Sequence, residues 1–343
     1  MLIKPDKLQP GDKVATVSPS SGVAGDPDTR WRYDQGVRRL ENDFGLEVVP
    51  MPNSLKGTDY LHENPGARAE DLMTAFKDER IKGIIANVGG KDCIQLLPYI
   101  DLDVIRENPK IFMGYSDITI PHLLMLKAGI SSFYGPNVLT DFAENVEMAS
   151  YTADMVKRVL FSNEIAGEIK AANEWAIEVL EWDEADKDKP LKMLENSGYE
   201  LLQGSGIVQG RLIGGCMDVL ETAKGTKIWP EAEDWENSIL FLEVADGTLE
   251  PTRIKSWLRN YGAQGILHKV NGVIFGKPQD EMYFAEYKKV IQEVMKENDL
   301  ENLPVLFNLN FGHTKPKTIL PYGIPAKINC HDETFSILES GVK

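Results

Sequence analysis

Short, nearly continuous apolar runs alternate with helical periodicity through the first 150 residues. Val14-Ala-Thr-Val reads as a strand that ends in the loop Ser18-Pro-Ser-Ser, and a polar, periodic helix follows from about Thr29 to Phe44. Leu46-Glu-Val-Val-Pro predicts a second strand, Ala67 to Lys77 a helix, and Gly83-Ile-Ile-Ala-Asn-Val a buried strand stopped by Gly89-Gly90. A short helix towards Leu97 leads to the strand Lys110-Ile-Phe-Met-Gly and a helix from about Ile118 to Ala128. Ser131-Ser-Phe-Tyr-Gly-Pro closes the series. Apolar strands without polar alternation, separated by helices, predict a parallel sheet covered on both faces.

The texture changes after Thr152. A helical stretch to Phe161 gives way to a Trp- and acid-rich segment, Glu174 to Pro190, read as a linker and exposed arm. Gly-punctuated strands follow at Ser205 to Gly215, then a helix from Met217 to about Ala223 and the strand Ser238-Ile-Leu-Phe-Leu-Glu. A helix from about Thr252 to Tyr261, the strand Val270 to Gly276, a helix over Phe284 to Lys296, and strands Pro304 to Asn308 and Ala326 to Cys330 complete the pattern. The expectation is an α/β protein of two domains, 1–165 and 201–343, joined by a linker over 166–200. The second domain is mixed α/β.

A chain of 343 residues has the volume for two cores. A formal charge of −16 argues against nucleic acid and anionic membrane as partners, since phosphate binding needs clustered cations. Three scattered cysteines give no disulfide framework and no zinc-ligand spacing. The N-terminal stretch has no signal-peptide pattern, and no run reaches the length of a membrane span, so a cytoplasmic location is expected.

Four places could carry chemistry. In Ile111-Phe-Met-Gly-Tyr-Ser-Asp-Ile-Thr an apolar strand meets Ser116 and then a helix start. A serine on such a turn stands clear of the sheet beside free backbone N–H groups. Ile118 replaces the second glycine of the usual elbow pattern, and helix capping by Ser116 or Asp117 is the plainer alternative. Gly89-Gly90 ends the neighbouring strand and could bring an N–H to an oxyanion, or simply make a tight turn. His313, in Asn310-Phe-Gly-His-Thr-Lys-Pro, leads among five histidines as a loop-borne base. Glu243 lies on an apolar strand and needs a partner, either an imidazole or a buried cation.

Together these motifs resemble the LD-carboxypeptidase family of serine peptidases, more narrowly its microcin-C immunity branch. Ser18-Pro-Ser-Ser, Val88-Gly-Gly with Leu96-Leu-Pro-Tyr-Ile-Asp, Gly114-Tyr-Ser-Asp-Ile-Thr, Leu242-Glu and Phe311-Gly-His-Thr match in order along nearly the whole chain. The resemblance implies a flavodoxin-like (class I glutamine amidotransferase-like) first domain and a swivelling-type second domain. It implies a triad in which Ser116 attacks, His313 is base then acid, and Glu243 orients the imidazole. Asp117 and either Gly89 or Gly90 would supply the oxyanion N–H groups. It also implies a homodimer with no metal and no cofactor. Gly89-Gly-Lys-Asp resembles the immunity branch, where a loop Trp stacks on a nucleotide base. Trp182 is the candidate, with Trp175 second and linker anchoring the alternative for both. Cys216 stands where the family commonly has Asn near the substrate, which points to an altered substrate.

The expected reaction is hydrolysis of an amide in a small peptidyl- or aminoacyl-nucleotide. Release of an LD-linked residue from murein peptides is the nearest alternative. A cysteine enzyme using Cys93 and a binder that sequesters a nucleotide or peptide are further alternatives.

Overall fold

The structure, a computed structural model, describes residues 2–177, 180–245 and 249–343. The first sheet holds β1 (Lys13–Val17), β2 (Glu47–Pro50), β3 (Ile81–Ala86), β4 (Ile111–Gly114) and β5 (Ser132–Tyr134), all parallel, in the order β2-β1-β3-β4-β5. This is a doubly wound order, and its chain reversal lies between β1 and β3. Helices Arg30–Phe44, Pro65–Lys77 and Thr119–Ala128 connect the strands, each within a residue or two of the predicted span. Ile84, Ile85, Ile111, Phe112 and Met113 are buried, which explains the absence of polar alternation. Each such side chain contributes about 1.5–3 kcal/mol.

The expected linker, 166–200, carries β6 (Gly167–Ile169), β7 (Glu174–Ala176) and β8 (Met193–Glu195), of which β7 and β8 pair with each other. Residues 178–179 of that segment lie outside the described residues. The remaining strands are β9 (Glu200–Gln203), β10 (Ile207–Cys216), β11 (Ser238–Glu243), β12 (Gly272–Gly276), β13 (Val305–Leu309), β14 (Leu320–Tyr322), β15 (Pro325–Asn329) and β16 (Thr334–Ile337). The second sheet runs β6-β16-β15-β10-β11-β12-β13-β9, with β10 to β13 parallel and its flanks antiparallel.

Two strands cross the expected boundaries. β14 returns from the second half to pair antiparallel with β5, so the first sheet is not purely parallel. β6 leaves the predicted linker to pair with β16. Among the described residues no helix is long and apolar enough to cross a membrane.

Candidate active site

Parallel sheets present ligands at the C-terminal ends of their strands, and most of strongly where neighbouring connections diverge. Here the loops after β1 (Ser18–Ser21), β3 (Asn87–Gly90) and β4 (Tyr115–Asp117) meet. Asp117 ties them together, accepting from Ser20 Oγ at 2.5 Å and from the Cys93 N–H at 2.8 Å. The buried Arg68 guanidinium closes the back, donating to Pro19 O, to Asp92 O and to Gln95 Oε1.

Ser116 follows β4 with a φ of +68°, in the left-handed region. A non-glycine residue held there costs about 1–2 kcal/mol, a strain that concentrates at functional turns. The turn lifts its hydroxyl off the sheet at the head of the helix that begins at Thr119. A Cβ at Gly89 would stand 2.7 Å from Ser116 Cβ and 2.9 Å from Oγ, so only glycine lets the β3 loop lie against the serine. The Asp117 backbone nitrogen is 3.3 Å from that same point, which brings the Gly89 and Asp117 backbones to one side of Oγ.

The second sheet supplies the other partners. Glu243 ends β11, is 1 % exposed, and has its Oε2 2.7 Å from His313 Nδ1. His313 Nε2 lies 3.1 Å from Ser116 Oγ. In the tautomer with Nδ1–H donating to the carboxylate, Nε2 turns its lone pair to the serine hydroxyl. Burial pushes the Glu243 carboxyl up, but the His313 charge and hydrogen bond and the Tyr134 hydrogen bond outweigh it and hold it below the usual range. Gly312, at φ +82°, lets the histidine loop cross the carboxylate, since a Cβ there would press within 2.5 Å of Glu243 Cδ.

Sequence reasoning missed Tyr134. Its hydroxyl donates to Glu243 Oε1 at 2.5 Å and accepts from the Ser116 N–H at 3.2 Å, joining Glu243 to Ser116 across the two sheets. An aromatic inside a short strand reads as core, and nothing local distinguishes it. Tyr115, also unflagged, packs edge-on to the His313 ring at 5.0 Å, and the buried Lys317 ammonium lies 3.6 Å above Tyr115. Asp141 pairs with Lys317 at 2.9 Å. Burial raises that carboxyl, but Lys317 brings it below its ordinary value.

The remaining expectations fare differently. Gly90 packs beside Ser20 with a φ of +149°. Trp182 is half-buried, with the Arg32 guanidinium 5.2 Å from its ring centre and its carbonyl accepting from Trp31 Nε1 at 3.3 Å. Trp175 is not on an exposed arm. It is 2 % exposed, with the Lys277 ammonium 4.0 Å above its ring, because so large an apolar surface is better packed than solvated. Cys216 is fully buried behind the site, its Sγ donating to Asp218 Oδ1 at 2.8 Å. Cys93 is fully buried too, and burial beside Asp117 pushes its thiol well up, which removes it as a nucleophile. His122 is a core histidine between Gly114 O and Ser132 Oγ, pushed down to about 4 by burial.

Comparison with known proteins places this geometry in context. The family model of the LD-carboxypeptidase N-terminal domain matches residues 14–135, and that of the C-terminal domain matches residues 209–328. An MccF-like protein from Streptococcus pneumoniae, solved in complex with AMP, is 34 % identical and superposes with a TM-score of 0.88 over 96 % of this chain and 99 % of that one. The microcin C7 self-immunity protein MccF of Escherichia coli is 29 % identical over 90 % of this chain and 88 % of its own length. A probable murein peptide carboxypeptidase of Bacillus subtilis is 27 % identical over 99 % of this chain and 95 % of its own.

Proposed function

Since the chain belongs to the LD-carboxypeptidase family of serine peptidases and is a serine carboxypeptidase hydrolase, we propose that Ser116, His313 and Glu243 are its catalytic triad. The observation that carries this is the unbroken line of contacts, 3.1 Å from serine to imidazole and 2.7 Å from imidazole to carboxylate. Ser116 Oγ attacks the scissile carbonyl while His313 Nε2 takes its proton. Glu243 holds the tautomer and stabilises the imidazolium. The N–H groups of Asp117 and of Gly89 or Gly90 receive the oxyanion, a contribution worth about 2.7–4 kcal/mol per donor. His313 then protonates the leaving amine, and water cleaves the acyl-enzyme by the same route reversed.

The substrate we propose is a small peptidyl- or aminoacyl-nucleotide. The relatives that bind AMP and confer microcin immunity support it, as does a half-buried Trp182 on the arm beside the first sheet. Trp182 would stack on the base, an interaction worth about 1–3 kcal/mol. The murein reading rests on the Bacillus subtilis relative, and in it Trp182 has no such role. A homodimer is the expected assembly, carried by the family resemblance.

The test compares wild type with Ser116→Ala on an aminoacyl-sulfamoyl-adenosine and on a murein LD-tetrapeptide, with products followed by mass spectrometry. Cleavage of the nucleotide compound by wild type and not by the variant is expected. Cleavage of the tetrapeptide alone would transfer the proposal to murein recycling, and equal cleavage by the variant would remove Ser116 from its role.

A further inference from the structure

Cys216 is a buried thiol that the proposed reaction does not use, and it lies among groups able to ligate a metal. The parallel register of β10 and β11 pairs Cys216 directly with Glu243, which sets the two residues level on neighbouring strands. Sγ of Cys216, a carboxylate oxygen of Glu243 and a ring nitrogen of His313 all lie within 4.8 Å of one another. Asp218, partly exposed in the first turn of the next helix, adds a fourth donor with its Oδ1 2.8 Å from Sγ.

Zinc bonds of roughly 2.0–2.3 Å to nitrogen, oxygen and sulfur put tetrahedral donors roughly 3.3–3.7 Å apart. The three mutually close groups, Cys216, Glu243 and His313, therefore close on a metal with shifts of about an ångström, and Asp218 adjoins them through its contact with Sγ. One sulfur, one imidazole and two carboxylates suit a borderline-soft cation and not Mg2+ or Ca2+. His313, 16 % exposed, and Asp218 form the outer side through which an ion enters, with Cys216 and Glu243 beneath.

We propose that Cys216, Asp218, Glu243 and His313 form an inhibitory site for a divalent cation of the zinc type, Zn2+ or Cd2+. Binding forms the metal–sulfur, metal–nitrogen and metal–oxygen bonds and releases the thiol proton to solvent; where Nδ1 is the ligand it also breaks the hydrogen bond between His313 Nδ1 and Glu243. No electron changes hands. If Nδ1 takes the metal, the ring proton sits on Nε2; if Nε2 takes it, the metal occupies that lone pair. In either case the imidazole cannot accept the Ser116 proton. Metal binding itself assumes nothing about catalysis, whereas the inhibition rests on the triad proposed above.

The test titrates the full chain, freed of metal, with Cd2+ alone and follows the ultraviolet sulfur-to-cadmium charge-transfer band. One equivalent should produce the band, Cys216→Ser should abolish it, and Cys93→Ser and Cys330→Ser should keep it. His313→Ala, a change at a partly exposed side chain that does not threaten folding, should weaken apparent affinity by at least about tenfold. A wild type without the band, or a band that survives Cys216→Ser, overturns the site. A second readout is the rate at which a fluorophosphonate labels Ser116, which one equivalent of Cd2+ should cut at least about tenfold. An unchanged rate with the band present overturns the inhibition alone. If Ser116 is not labelled even without metal, the triad reading fails and the band still decides the site.

Discussion

The site at the strand ends and the arm around Trp182 are built in opposite ways. Ser116, Tyr134, Glu243 and His313 sit at the ends of strands or one turn beyond, joined by contacts of 2.5–3.2 Å and buried or nearly so. The arm has two three-residue strands, β7 and β8, and a single turn at Glu184–Asp186. Trp31 Nε1 on Trp182 O (3.3 Å), Asn145 Nδ2 on Asp186 O (2.8 Å) and the Val146 N–H on Lys187 O (3.0 Å) fasten it to the first half of the chain. At its root the Ala176 N–H reaches Lys315 O at 2.9 Å, two residues past His313, and Lys315 pairs with Glu144, which Arg32 approaches at 3.5 Å. The groups proposed to make and break bonds are held by two sheets at once. The segment proposed to choose the substrate is packed at its root by the buried Trp175, and around Trp182 it hangs on polar contacts.

If that division is real, changes at the two ends should differ in kind. His313→Ala should lower kcat by about 10^4-fold on every substrate the enzyme accepts, because base and acid vanish together. Loss confined to one substrate class would break the comparison. The next effect concerns stability. His122 stays neutral in the fold down to about 4, whereas an ordinary histidine titrates near 6.5. Between these pH values the unfolded chain binds the proton and the folded one does not, so stability is complete above pH 6.5 and falls as pH drops towards 4. The loss approaches about 3 kcal/mol. Denaturant unfolding at pH 7 and pH 4.5 should show this drop in wild type, and His122→Gln should remove that component from the difference.

Smaller effects separate recognition from chemistry. Trp182→Ala should cost about 1–3 kcal/mol in kcat/KM for an aminoacyl-nucleotide and leave a murein tetrapeptide unaffected. Equal losses on both would give the arm a structural task. Tyr134→Phe removes a donor to Glu243 and should lower kcat by about tenfold with KM little changed, the loss of one charge-assisted hydrogen bond. A change in KM alone would move Tyr134 to the binding side.

The contrast also explains what could be read from the sequence. Strands β3, β4, β11 and β13 are apolar runs because both faces are covered, and glycine, serine, glutamate and histidine stand out at or just beyond their ends. Tyr134 was invisible because a strand aromatic is core by default, and its hydroxyl meets Glu243 only when two sheets come together. β14 was missed because Leu320-Pro-Tyr is three residues long with a proline, and its partner β5 lies nearly two hundred positions earlier. Trp175 was misplaced because acidic neighbours suggested solvent, while the Lys277 ammonium that covers its ring comes from β12's far end. The arm's anchorage on Arg32, Glu144 and Lys315 joins distant charges, which no local pattern announces.

The central claim is that Ser116 is a nucleophile activated by His313, and a fluorophosphonate tests it without any assumption about the substrate. Intact-mass and peptide mass spectrometry should find one phosphonyl group per chain, on Ser116, with fluoride displaced. Labelling should vanish in Ser116→Ala and slow by orders of magnitude in His313→Ala. A wild type that stays unlabelled, or a Ser116→Ala variant labelled as fast as wild type, would contradict the account.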